Sequence, residues 1–129
     1  MGIYTSPPPL SGDVWTAVGP GERYTLLNGA ETIVSGSASY AFCLAYSPTG
    51  NTNKTFEIGG CANGSIVQIQ AAVPPDSRSE LASDYVSIAT PALTNGAGEY
   101  TDTGASAYYR ALVSTFVAGD APTVTVRVG

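Results

Sequence analysis

The sequence predicts an all-β protein: an antiparallel β-sandwich or jelly-roll-like barrel with an extended proline-rich N-terminal arm. Three observations lead to this fold class. Short runs of alternating apolar and polar residues recur along the chain, as in strands with one face on a core. Turn residues separate these runs, drawn from 15 glycines and 9 prolines in 129 residues. Hydrophobic residues make up 43% of the chain and charged residues 12%, which predicts a globular protein.

The first twelve residues are predicted to form the arm, and residues 13–129 a single sandwich domain. The arm, MGIYTSPPPLSG, contains three consecutive prolines, which cannot donate backbone hydrogen bonds to a sheet and which favour polyproline II. Such an arm is either disordered or docked on another surface, and a neighbouring subunit is the candidate partner. Its candidate partner-binding residues are Ile3, Tyr4, Pro7, Pro8, Pro9 and Leu10.

The first half of the domain is predicted to contain five strands, separated by turn signals. They cover residues 13–18, 22–27, 31–35, 39–47 and 53–58. The pair Asn28-Gly29 between the second and third strands predicts a β-hairpin. In the fourth strand, bulky aromatic and leucine side chains alternate with alanine and cysteine. Both faces can therefore be covered, which predicts a central strand of a packed sheet.

Five more strands are predicted in the second half, at residues 65–73, 85–90, 99–103, 108–116 and 123–128. The alternation in the first of these predicts a half-solvated antiparallel strand. Between it and the next, Ser77 and Glu80 have capping-box spacing, so either one helical turn or an irregular loop fits there. The valine face of the last strand must be buried, and we expect that strand to pair with the preceding one as a closing hairpin.

Composition also excludes several classes of partner. The net charge is −5, and the five basic residues are scattered along the chain. Nucleic-acid binding requires clustered positive charge, so we predict no nucleic-acid partner. No apolar stretch is long enough to span a bilayer, and no signal peptide is recognisable, so we predict no membrane partner.

The residues with reactive side chains do not form a catalytic or metal-binding motif. The absence of histidine excludes Ser-His-Asp and Cys-His arrangements, and with only two cysteines it makes a zinc site improbable. We therefore predict no enzymatic activity, no metal and no cofactor. Cys43 and Cys61 are expected to be buried free thiols, although a disulfide remains geometrically possible. The carboxylates that could flank a cleft are interpreted as solvated loop charges; they are Asp76, Glu80, Asp84, Glu99 and Asp102.

Aromatic side chains are the candidates for sugar binding, because exposed rings can act as stacking surfaces. The candidates are Trp15, Tyr24, Tyr46, Tyr100, Tyr108 and Tyr109. Tyrosine at strand positions is more often half-buried packing or an interface anchor, and we favour that interpretation.

Four stretches carry a resemblance to a known class of protein: GSIVQIQAAV, EYTDTG, YYRALVSTF and the ending PTVTVRV. Together, residues 60–129 resemble the C-terminal half of small structural proteins of tailed-bacteriophage virions, most closely head decoration (cement) proteins. The resemblance implies a β-sandwich or jelly roll, often trimeric, that is made in the host cytoplasm. It would then bind the major capsid protein on the capsid surface and clamp adjacent capsomers. A tail or baseplate adhesion domain that binds carbohydrate is the alternative.

Overall fold

The computed structural model describes residues 3–4, 16–19, 21–29, 32–39, 42–44, 53–72, 85–103 and 108–129. Within these residues eleven strands form two sheets, and no helix is present. The strands are β1 (Ile3–Tyr4), β2 (Thr16–Val18), β3 (Arg23–Leu27), β4 (Ala38–Ser39), β5 (Phe42–Leu44), β6 (Lys54–Gly59), β7 (Ile66–Ala72), β8 (Val86–Ala89), β9 (Gly98–Asp102), β10 (Tyr108–Thr115) and β11 (Thr123–Val128). The predicted antiparallel β-sandwich is confirmed.

The two sheets differ in size. The small sheet has four antiparallel strands in the order β3-β11-β6-β9. In the large, seven-stranded sheet, β4 and β5 lie along one side of β10, β7 lies along the other, and β8 follows β7. The short strands β1 and β2 pair with β4 and β5, and the β2–β5 pair is parallel.

The pairing of the long strands is that of a jelly roll. If β4 and β5 are taken as one interrupted strand, eight main strands run from β3 to β11. The first pairs with the last, and the pairs inside it are β5 with β10, β6 with β9, and β7 with β8. The chain therefore behaves as one long hairpin folded over into two sheets, which is the jelly-roll arrangement.

Aromatic rings from both sheets meet at the centre of the core. Phe42 and Tyr109 of the large sheet stack with ring centroids 5.5 Å apart, and Phe56 of the small sheet lies 6.0 Å from Phe42 and 6.2 Å from Tyr109. All three side chains are fully buried. Each such pair contributes about 0.5–1.5 kcal/mol beyond the burial of its area. These contacts hold the two sheets face to face.

The predicted closing hairpin is wrong, although both of its strands exist. β10 pairs with β4, β5 and β7, whereas β11 pairs with β3 and β6 in the other sheet. The turn at 119–122 therefore carries the chain from one sheet to the other. The valine face of β11 is buried, as predicted. Alternation indicates which face of a strand is buried, but it does not indicate which strand lies beside it.

The predicted Asn28-Gly29 hairpin is also wrong, because residues 32–36 contain no strand and β3 pairs with β11. Gly29 has a different role at this position. A β-carbon there would collide with the carbonyl oxygen of Ala121, so glycine allows two backbone segments to pass closely. Ile33 is nevertheless buried in the core, which explains the strand-like apolar pattern of this segment.

Strand β7 is less solvated than its sequence predicts. Val67, Ile69 and Ala71 face the core, as expected. Gln70 and Ala72, on the opposite face of the same strand, are buried as well. Residues 73–84, where a helical turn or a loop remained open, lie outside the described residues.

The glycines at positions 60 and 36 allow a direct test of this packing. Both have positive φ, but a β-carbon at Gly60 would collide with the carbonyl oxygen of Ala121, whereas one at Gly36 would meet open space. We expect Gly36→Ala to reduce the free energy of unfolding by about 1 kcal/mol, the cost of the backbone conformation alone. Gly60→Ala has the same conformational cost and also causes the collision with Ala121, so we expect it to reduce the free energy of unfolding by about 3 kcal/mol. Urea denaturation measures both, and equal losses would contradict the close approach.

Candidate functional site

A groove of about 550 Å³ opens at one end of the sandwich, between the connection from β6 to β7 and the connection from β8 to β9. Cys61, Ser65 and Ile66 line one side, and Thr90 and Leu93 line the other. We call this the end groove. Its described lining contains no charged side chain. The described side chains that line the end groove are therefore uncharged, and most of them are hydroxyl-bearing or apolar.

Asp120, in the turn between β10 and β11, organises one wall of the end groove. Its Oδ1 accepts a hydrogen bond from the backbone N–H of Asn63 (2.7 Å), and its Oδ2 accepts one from the N–H of Ser65 (2.9 Å). Burial, the largest single influence, would raise the pKa of Asp120. The hydrogen bonds from Ser65 and Asn63 outweigh it and hold that pKa below its ordinary value of 3.8.

Cys61 lines the end groove as a buried free thiol, as the sequence predicts. Its Sγ donates to the carbonyl oxygen of Gly59 at 3.5 Å. Burial, and secondarily the negative charge of Asp120, raise the pKa of the Cys61 thiol. The thiol therefore stays protonated at neutral pH, which is unsuited to a nucleophile or a metal ligand. The side chain of Cys43 lies outside the described residues.

Exposed apolar side chains lie on β8 and at Ile66 of the neighbouring strand β7, and Ile66 also lines the end groove. We call β8 together with Ile66 the β8 edge. Val86 is 62% exposed, Ile66 41% and Ile88 37%. Among the described strands, β8 pairs only with β7, so its other side presents backbone groups without a neighbouring strand. None of the residues in the β8 edge is charged.

The outward face of the large sheet carries a buried polar cluster. The Nε of Arg110 donates to the side-chain oxygen of Gln70 at 2.8 Å, and the guanidinium lies 4.1 Å from the centre of the Tyr85 ring. Ser87 donates to Gln68 at 2.7 Å beside this cluster. These contacts explain why β7 is not half-solvated. Sequence reasoning missed the cluster because its members lie on three separate segments.

The outward face of the small sheet carries an exposed ion-pair cluster. Glu57 contacts Arg23 at 2.7 Å and Arg127 at 2.9 Å. The hydrogen bond from Arg23 lowers the pKa of Glu57; burial opposes this, and the charges of both arginines add to the lowering. Exposed pairs of this kind contribute about 0–1 kcal/mol each. Both arginines already contact a carboxylate, so this face is not an evident anion-binding site.

The carboxylates considered as a catalytic pair do not converge on a cleft. Glu99 and Asp102 both lie on β9, and because side chains alternate along a strand, positions three apart face opposite sides. Glu99 is exposed on the outward face, whereas Asp102 faces inward and contacts Lys54. The interpretation of Asp102 as a solvated loop charge is therefore wrong. The remaining acids, Asp76, Glu80 and Asp84, lie outside the described residues.

Lys54 and Asp102 form an ion pair inside the sandwich, at the end opposite to the end groove. The Nζ of Lys54 is 2.9 Å from Oδ2 of Asp102 and 4.6 Å from the centre of the Tyr109 ring. The lysine side chain is fully buried, and that of Asp102 is 17% exposed. No sequence motif indicated this pair, since the two residues are 48 positions apart.

The tyrosines considered for sugar stacking are mostly part of the core. Tyr108 and Tyr109 are buried, and Tyr24 and Tyr100 pack against the core cluster. These four rings do not form an exposed stacking surface. The other two candidates, Trp15 and Tyr46, lie outside the described residues.

Two residues of the predicted arm are described. Ile3 and Tyr4 form β1, which pairs with Ser39 and Ala38 of β4 in the same chain. The arm residues Pro7, Pro8, Pro9 and Leu10 lie outside the described residues. Docking of the arm on a neighbour therefore stays a prediction.

Comparison of the chain with protein-family models, curated proteins and solved structures finds no match. Within the described ranges, no group of three or more histidine, cysteine, aspartate or glutamate side chains could hold a metal ion. The same part of the chain contains no helix that is long and apolar enough to span a membrane.

The role of Asp120 predicts a pH dependence of stability. Because its pKa is lowered by folding, its contribution is fully present above the ordinary value of 3.8 and is lost as the pH falls below it. We expect Asp120→Asn to lower the free energy of unfolding at neutral pH. In acid, the free energies of unfolding of the variant and of the unmodified protein should converge. Denaturant titrations across this range measure the effect. Glu99→Gln, which changes an exposed carboxylate of β9, is the control, and a constant difference for Asp120→Asn would contradict the assignment.

Proposed function

We propose that this protein is a non-enzymatic structural protein of a bacteriophage virion, a decoration (cement) protein that binds the capsid surface and stabilises contacts between capsomers. The observation that carries the proposal is the β8 edge. It combines exposed Val86, Ile88 and Ile66 with a side of β8 that no described strand occupies. Such a surface is suited to permanent contact with another protein.

The four-residue strand β8 lacks the side chains that commonly protect an open edge strand. Edge strands are commonly blunted by charged residues or proline, and the sequence of β8, VSIA, contains neither. An apolar strand with free backbone groups is an aggregation hazard unless a defined partner covers it. In an assembly protein, a fixed neighbour removes that hazard.

We assign this contact to a second copy of the chain within a closed homotrimer. In a three-fold ring, each β8 edge meets a different surface of the next copy, and the ring closes without leaving an open edge. The proline-rich arm would then contact the major capsid protein. Many equivalent contacts on one particle allow each single contact to be weak.

The chemistry of the described residues agrees with a non-enzymatic role. Glu99 and Asp102 face opposite sides of β9, Glu57 is engaged by two arginines, and the Cys61 thiol has a raised pKa. Jelly rolls occur in viral capsid proteins and also in lectins and enzymes, so the fold agrees with the proposal without specifying it.

The double variant Val86→Asp/Ile88→Asp tests the trimer contact. It places charge on the β8 edge and should convert a trimer into a monomer, since buried unpaired charge in an interface costs several kcal/mol, or about a thousandfold in affinity. Light scattering coupled to size-exclusion chromatography measures the mass. Thr25→Asp, an exposed change on β3 of the other sheet, should leave the trimer intact. A monomeric unmodified protein would contradict the assignment.

Removal of residues 1–12 tests the role of the arm. We expect the shortened protein to remain trimeric and to lose binding to heads of the phage in whose genome the gene lies, because the capsid contact is assigned to the arm. Co-sedimentation with purified heads measures this binding. Full binding without the arm would contradict its role. A gene with no virion genes around it would contradict the virion proposal as a whole.

A further inference from the structure

Lys54 is the single lysine of the sequence, and it is completely buried. Lysine is among the residues least often buried, because its ammonium group is strongly hydrated. A chain that contains one lysine and places it in the interior, against a carboxylate, has an unusual use of that side chain. This cluster is independent of the β8 edge and of the proposed function.

The geometry around Lys54 brings an amine and a carboxyl group into reacting distance. Lys54 and Asp102 are directly opposite each other in the β6–β9 register, and Nζ lies 2.9 Å from Oδ2. The other carboxylate oxygen, Oδ1, lies 3.5 Å from the hydroxyl group of Tyr100. The ring of Tyr109, 4.6 Å from Nζ, covers the amine.

We propose that Lys54 and Asp102 condense to form an intramolecular isopeptide bond, which joins β6 covalently to β9.

The reaction needs no co-reactant. Lys54 passes one proton to Oδ2 of Asp102 across their contact, and the neutral amine attacks the carboxyl carbon. A bond forms between Nζ and that carbon, Oδ1 carries the developing negative charge, and Tyr100 is placed to donate a hydrogen bond to it. Nζ then gives up a second proton, and Oδ2 leaves with both protons as water. The ammonium and carboxylate become an amide and one water molecule, with no change in net charge.

Four features of the site favour this condensation. The two groups are held on paired strands, so the step is intramolecular and already oriented. The amide is neutral, so its formation removes the desolvation cost of a buried ion pair. Burial, followed by the charge of Asp102, raises the pKa of Tyr100, which keeps its hydroxyl protonated as a donor. Asp102 is partly exposed, which gives the departing water a route out.

The cross-link would close a chain segment that runs from β6 through β9. Closing a long loop restricts the unfolded chain, in the way that a disulfide does, and it cannot be reversed by reduction. The sandwich would thereby gain an irreversible covalent cross-link between β6 and β9, at the end opposite to the end groove.

The mass of the denatured full-length protein tests the proposal directly. We expect a mass lower than that of the sequence by one water molecule, and a peptide linking residues 54 and 102 after proteolysis and tandem mass spectrometry. The cross-link consumes the amine of Lys54, which is the only lysine of the sequence. An amine-reactive label should therefore modify the same number of amines in the denatured protein as in the denatured Lys54→Arg variant. The full sequence mass, or one more labelled amine than in Lys54→Arg, would overturn the proposal and leave only an ion pair.

Two controls separate the cross-link from other changes. A cyclic imide at an aspartate also loses one water, but it leaves the lysine amine reactive and opens in alkali, and that result would count against the cross-link. Tyr100→Phe keeps the ring and removes the hydroxyl, so a mixture of linked and unlinked chains is expected. Complete linkage in Tyr100→Phe would overturn the role given to Tyr100. The mass of the unmodified protein decides the main point even if a variant fails to fold.

Discussion

The structure depends on the contact between two sheets through the rings of Phe42, Phe56 and Tyr109. These rings come from both sheets and lie within about 6 Å of one another, fully buried. They meet because consecutive main strands lie in opposite sheets everywhere except at β7 and β8, which are neighbours in the large sheet. This jelly-roll order is the reason that the turn at 119–122 crosses between sheets rather than closing a hairpin.

This arrangement gives the two ends of the sandwich different chemistry. At the end groove, Asp120 satisfies backbone N–H groups of Asn63 and Ser65, so the wall is built by a carboxylate that accepts hydrogen bonds. At the other end, a lysine and an aspartate face each other under an aromatic ring. The carboxylate of Asp120 accepts hydrogen bonds from backbone N–H groups, whereas the carboxylate of Asp102 contacts the primary amine of Lys54. Among the described side chains at these two ends, only the second pair brings together the amine and carboxyl group that the proposed cross-link needs.

The surfaces of the two sheets also differ, and this difference points to contact with other molecules. The small sheet presents hydroxyl groups and the exposed ion pairs of Glu57, a solvated surface. On the large sheet, Arg110 and Gln70 are buried, and the β8 edge is apolar and uncharged. Among the described acids, Glu57 and Asp102 are paired with bases, and Asp120 accepts hydrogen bonds from backbone N–H groups. The proposed role thus rests on the outer surface of the sandwich and not on a cleft.

The sequence by itself determined the fold class, the positions of most strands and their buried faces. Val124, Val126 and Val128 are inside, as are Val67 and Ile69, because alternation with a period of two is a local property of the chain.

Only the tertiary structure decided which strands are neighbours and which polar groups meet. Lys54 and Asp102 are 48 residues apart, and Arg110 and Gln70 are 40 apart. Local pattern carries no information about such distant partners, since the same alternation fits several pairings. The β8 edge followed in the same way, because the order of the described strands, which places β8 at the margin of the large sheet, cannot be deduced from local pattern.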